Sequence, residues 1–223
     1  MGIYYNPKSS VDGLILALDA GNLKSYSGSG NIWLDLSGVV GNTSIINAPS
    51  FSTDSFSFNG TNQYAQTPSY AFGTNGITME IIYRTSASDT HSEYGRILDW
   101  GDTTMSLGTY NSNEFRCWVN AGGSRNSGEF SVLSNTTGFY NNWHHAVMTY
   151  DKSVVKGYWD NIEKFSVAKT GDLESGSKVF QIANGDGNYF GGDIAVVRVY
   201  NRALLQSEID QNFYLFKNKF QLQ

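Results

Sequence analysis

The sequence predicts an all-β protein: an antiparallel two-sheet β-sandwich of jelly-roll type with a short C-terminal helix. Three observations predict it. Short runs rich in β-branched and aromatic residues recur roughly every ten residues, with Gly, Asn, Asp and Ser between them. Apolar and polar residues alternate within those runs, as side chains on opposite faces of a strand require. Glycine is plentiful at 24 residues and proline is held to three, a balance that suits many tight turns rather than disorder.

Taken in order, strands are expected near 13–18, 55–59, 62–67, 77–84, 95–100, 105–110, 114–119, 128–133, 143–151, 154–160, 162–168, 178–183 and 192–200. In the run Ile77–Arg84, alternation assigns Ile77, Met79, Ile81 and Tyr83 to the core face and Thr78, Glu80, Ile82 and Arg84 to the other. Asp160-Asn161 tolerates positive φ and predicts a two-residue hairpin turn between Trp159 and Ile162. The helix is placed at 206–220, because Ile209, Phe213, Phe216 and Phe220 fall on one stripe. That stripe packs on the sandwich in one reading; in the other it docks on a second subunit, since Tyr214 and Leu215 add apolar surface outside it. No internal repeat or linker divides the chain, so 1–223 reads as one domain with an N-terminal arm over 1–12.

A chain of 223 residues with 40% hydrophobic content is long enough to bury a sizeable core. A net charge of −5, pI near 5.1 and no basic cluster argue against nucleic acid as a partner. Apolar runs such as Leu14–Leu18 and Ile194–Val197 are far short of the ~20 residues a membrane helix needs, so no membrane insertion is expected. Residues Met1–Lys8 do not read as a secretory signal, which points to synthesis in a cytoplasm. The single cysteine, Cys117, has no partner and sits in a strand-like run as a small packing residue rather than a nucleophile.

Four segments carry a resemblance. Ser57-Phe-Asn-Gly-Thr-Asn-Gln-Tyr64 is similar to an F-D-G-x-x-D-Y strand and turn; Trp143-His-His-Ala-Val-Met-Thr-Tyr-Asp151, with the hairpin after it, is similar to W-H-H-V-A-x-T-Y-D. Phe190-Gly-Gly-Asp-Ile-Ala-Val-Val-Arg-Val-Tyr-Asn-Arg-Ala-Leu204 is close to the closing strand F-x-G-x-I-D-x-V-R-I-Y-N-R-A-L. Together they resemble the laminin-G-like, concanavalin A-like domains. The opening, Val11–Asn22 with Lys24–Gly30 and Trp33–Gly38, resembles laminin-G-like proteins of tailed bacteriophages, cyanophages among them. That resemblance implies a virion protein of the head surface, a fibre or a tail appendage, assembled in host cytoplasm, with other virion proteins and further copies of itself as partners.

The chain departs from the family pattern at Asn59 and Gln63, where acidic residues are usual, which weakens the calcium site the resemblance raises; Asp19 and Asp193 are the remaining candidate ligands. Leu205 also stands where an N-cap Ser is usual, so the capping box with Glu208 is expected to be lost. Some concanavalin A-like proteins are glycoside hydrolases and need two closely spaced carboxyl groups, yet no Glu here begins the E-x-D-x-x-E pattern, and Asp99 and Asp102 read as a strand end and turn. The adjacent His144 and His145 point to opposite faces of a strand and so do not hold one metal ion together. Sandwich lectins bind sugars on aromatic platforms flanked by amides and carboxylates, and Trp100, Asp102, Tyr110 and Asn111 are the candidate rim. The sequence therefore points to a non-enzymatic virion structural protein that also binds cell-surface glycans, with a lectin-like module as the alternative and a polysaccharide hydrolase behind both.

Overall fold

The computed structural model describes residues 9–73, 75–85, 94–101, 104–110, 114–123 and 140–223. In chain order the strands are β1 (Leu14–Asp19), β2 (Ile32–Trp33), β3 (Thr43–Ile46), β4 (Ser50–Ser52), β5 (Ser55–Asn59), β6 (Tyr64–Gln66), β7 (Tyr70–Phe72), β8 (Ile77–Thr85) and β9 (Tyr94–Trp100). They continue as β10 (Met105–Tyr110), β11 (Glu114–Val119), β12 (His144–Tyr150), β13 (Val154–Trp159), β14 (Ile162–Ala168), β15 (Gly176–Lys178), β16 (Phe180–Ile182) and β17 (Gly191–Tyr200), and helix α1 (Gln206–Phe220) ends the fold. One large sheet runs β14-β13-β12-β8-β17-β5-β4, with β1 pairing the second half of β17 where β5 leaves off; the other large sheet runs β11-β10-β9-β16-β6-β3-β2, and β7 and β15 pair in a separate two-stranded sheet. The pairings are antiparallel, so the two large sheets form the sandwich that the alternating pattern predicts.

Ile77, Met79, Ile81 and Tyr83 of β8 are fully buried between the sheets with Trp33, Phe56, Trp100, Phe115, Phe180 and Phe190. Cys117 is also fully buried, and burial pushes its thiol well up from the ordinary value. Asp160 and Asn161 adopt φ of 47° and 67°, the positive pair a two-residue hairpin needs, and they join Trp159 to Ile162 as expected. The strands not foreseen, β2, β3, β4, β7 and β15, are two to four residues long, too short to display a period of two. The expected strand at 128–133 lies outside the described residues.

Helix α1 closes the outer face of the first sheet. Phe213, Phe216 and Phe220 pack on Ile82, Ala195 and Val196, while Ile209 meets Val147, Tyr158 and Tyr200. On the alternate face of β8, Thr78, Glu80 and Ile82 are therefore as dry as the core face, which forces Glu80, 1% exposed, to find partners. His145 Nε2 lies 2.8 Å from one carboxylate oxygen and Asn212 Nδ2 donates to the other at 2.8 Å, with Arg198 3.5 Å away. Burial pushes the Glu80 carboxyl up, but Arg198, His145 and Asn212 together outweigh it and hold it below its ordinary value. Asn212 also accepts the Ser10 N–H, so the N-terminal arm is fastened to the same network.

The helix start corrects one expectation in part. Leu205 offers no side-chain acceptor, so half of the capping box is missing, yet Glu208 still accepts the Leu205 N–H at 2.9 Å. Glu208 is also gripped by Arg202 and by Ser10. The Arg202 hydrogen bond leads in drawing its carboxyl down to about 2.

Candidate functional site

Strand register decides which side chains of the second sheet face outward. Trp100 pairs with Met105 on one side and Phe180 on the other, and Met105 pairs with Val119; the four make one fully or almost fully buried core row. The next row points the opposite way and reads Trp118, Ser106, Asp99, Gln181, Gln66 and Ser44 across six strands. Arg96 lies 3.5 Å over the Trp118 ring, and Gln181 donates to Gln66 at 3.2 Å.

This corrects the sequence reading of Trp100. Fully buried, its ring packs against Phe72 and Phe180, and it cannot present an open platform to a sugar. Asp102, Asn111 and the side chain of Tyr110 lie outside the described residues.

Immediately after Trp100 the chain opens into a cleft of about 900 Å³ at one end of the sandwich. Three loops build it, stitched by backbone hydrogen bonds from Asn120 to Thr104, from Gly122 to Asp172 and from Glu174 to Asn120. Gly171 (φ 118°) packs so closely on Gly122 that a Cβ there would lie 2.5 Å from its Cα. The polar lining includes Asn120, Asp172, Glu174, Ser175 and Lys178. Lys178 spans the mouth: its ammonium donates to Thr104 Oγ1 at 2.6 Å and Glu174 Oε1 at 2.7 Å, and sits 5.3 Å over the Trp100 ring. Its stem crosses Gly101, where a Cβ would fall 1.8 Å from Lys178 Cδ. The hydrogen bond from Lys178 lowers the Glu174 carboxyl below its ordinary value. Beyond Lys178 a second hollow of about 520 Å³ leads to Gln181, in the middle of the outward polar row.

The candidate metal ligands are not brought together as a site. Asp193 is ion-paired to Arg84 at 2.7 Å and bonded to Ser57, while Asp19 accepts the Gly21 N–H in a turn. Among the described residues no three His, Cys, Asp or Glu side chains converge as metal ligands. Asn59 Oδ1 instead accepts the N–H groups of Thr61, Asn62 and Gln63, so amide chemistry closes the turn where carboxylates were usual. His144 and His145 do point apart, the first to Asp160 at 2.7 Å and the second to Glu80.

Residues 59–210, more than half of the chain, match the Laminin_G_3 family, described as the concanavalin A-like lectin/glucanases superfamily. The chain belongs to this family. Comparison with curated proteins finds no matching relative. Among solved structures the laminin G domain is similar to Trypanosoma rangeli sialidase, with 16% identity and a TM-score of 0.66, over 93% of this chain and 33% of the sialidase. It is also similar to the receptor binding domain of botulinum neurotoxin C/D mosaic serotype, at 14% identity and TM-score 0.69, over 92% of this chain and 52% of that one. A third similar structure is the botulinum neurotoxin serotype D ligand binding domain in complex with N-acetylneuraminic acid, again at 14% and 0.69, over 92% and 51%. The chain thus spans a third to a half of these proteins, and at such identities the likeness is one of fold.

Sequence reading of this laminin G domain named Trp100, which lies beside the cleft, and none of the described residues that line it. Thr104, Asn120, Asp172, Glu174 and Lys178 come from three separated loops and carry no shared spacing. The available signal was the glycines Gly101, Gly122, Gly123 and Gly171, all at positive φ around one rim.

Proposed function

We propose that this laminin G domain is a non-enzymatic carbohydrate-binding module whose ligand occupies the rim cleft. The observation that carries the reading is the cleft itself: a concave site on a lectin-family sandwich where Asn120, Asp172, Glu174, Ser175 and Lys178 converge amide, carboxylate, hydroxyl and ammonium groups suited to sugar hydroxyls. The toxin domain seen with N-acetylneuraminic acid supports glycan binding by analogy of fold alone. Lys178 lowers the Glu174 carboxyl, which does not suit it to the role of the protonated acid that a glycosidase needs. A glycan array with wild type and Asn120→Ala tests the reading: retention by wild type and loss of roughly tenfold or more in the variant are expected, about what an unmade buried polar contact costs. No retention on any glycan, or release of reducing sugar from a bound one, overturns it.

A second reading, compatible with the first, is that the domain sits on a phage particle. It is supported by the resemblance of the opening segment and by where apolar surface is left bare. Of the nine large hydrophobic residues exposed among those described, six lie between Val11 and Val39, including Leu23 at 80% and Val11 at 72% exposure. An assembly face there predicts that Leu23→Ser with Val11→Ser abolishes incorporation into particles while the folded domain persists, and normal incorporation of the variant overturns the assembly face.

A further inference from the structure

We propose that the rim cleft takes uncharged glycans, and that Glu174, by holding Lys178, excludes sugars that bear a carboxylate. This rests on the reading of the cleft as a glycan site and adds the chemical class of its ligand.

The argument is one of charge and reach. The described cleft lining carries two carboxylates, Asp172 and Glu174, and one cation, Lys178. That cation is already committed: Glu174 lies 2.7 Å from its nitrogen, Thr104 takes a second donor at 2.6 Å, and the Lys178 stem is laid across Gly101 in a path only glycine leaves open. Asp172 meets Lys152 at 2.6 Å; that pair is the more exposed of the two, at 40% and 63% against 25% and 50% for Lys178 and Glu174, so it is screened more. An incoming carboxylate would meet two like charges at short range and would have to compete with Glu174 and Asp172 for the ammonium groups they hold. A neutral sugar meets no such opposition; its hydroxyls donate to Asp172 and Glu174 and both give and accept at the Asn120 carboxamide. The chain's net charge of −5 acts in the same sense on approach.

The prediction runs against the sialic acid seen in a similar fold. It is also reversible by one substitution: Glu174→Gln keeps the shape, removes one negative charge and leaves Lys178 with a donor to offer.

The experiment is biolayer interferometry on matched neutral and anionic probes: lactose against 3′-sialyllactose, and laminarin and dextran against alginate and polygalacturonate. Wild type is expected to bind at least one neutral probe and to hold the anionic partner roughly twofold to fivefold more weakly, the scale of one exposed charge contact. In Glu174→Gln the ratio of anionic to neutral affinity rises by a similar factor and shrinks again in high salt. Adding Lys178→Met to that variant returns the ratio toward the wild-type value, which separates a freed ammonium from mere loosening of the loop. Wild type preferring an anionic probe overturns the proposal, as does an unchanged ratio in a Glu174→Gln protein with wild-type circular dichroism. Silence of wild type on every probe instead removes the glycan reading itself.

Discussion

The Asn212 carboxamide donates to the Glu80 carboxylate at 2.8 Å in a site where both side chains are essentially dry, and that contact ties helix α1 to the middle of a sheet. Because Asn212 also takes the Ser10 N–H, it joins three parts of the chain that are far apart in sequence. Replacing it with Ala leaves a buried carboxylate oxygen and a buried N–H without partners. The expected loss is about 1–3 kcal/mol, read as a lower urea midpoint at unchanged slope.

Acid should unfold the domain through the same face. Glu80 and Glu208 both have folded values below the ordinary 4.5, Glu208 at about 2. A carboxyl with a depressed folded value contributes stability above its unfolded value, and that contribution is lost as pH falls through the folded one. Urea titrations should therefore show stability falling below pH 4.5, and Glu208→Gln should flatten the part of that slope reaching toward pH 2. An equal slope in wild type and variant would falsify the assignment to Glu208.

Trp100 is a packing residue, so its removal is a stability experiment rather than a binding one. Trp100→Ala opens a void beside Phe72 and Phe180 and should cost about 3–5 kcal/mol. Trp100→Phe should remain folded with a smaller loss of stability, read as a urea midpoint between those of wild type and Trp100→Ala; a Trp100→Ala protein as stable as wild type would overturn the packing role.

The missing N-cap is correctable. Leu205 is 67% exposed with extended backbone (φ −74°, ψ 156°), a geometry in which Ser accepts an N–H of the first turn. Leu205→Ser should stabilise by about 0.5–1 kcal/mol and raise the melting temperature by roughly 2–3 °C, measurable by calorimetry.

Much of the fold was legible because its signals are local. A period of two marks Ile77 to Tyr83 as a core face, a 3.6-residue period marks Ile209 to Phe220 as a helix stripe, and Asp160-Asn161 marks a hairpin from backbone preference alone. The strands that escaped are two to four residues long and carry little period; β7 and β15 are ordered by each other across the chain, Tyr70 pairing with Lys178.

What the sequence determined by itself was the sandwich and its closing helix, since alternation and turn chemistry are properties of neighbouring residues; the family was legible through the resemblance of motifs such as Trp143–Asp151 and Phe190–Leu204. Only tertiary structure decided that Trp100 faces inward and Trp118 outward, that a helix seals Glu80 from water, and that Lys178 lies across Gly101 against Glu174. Each of these depends on register between strands or on the meeting of separate loops, and a register shifted by one residue would reverse every facing without changing the alternation from which the fold was read.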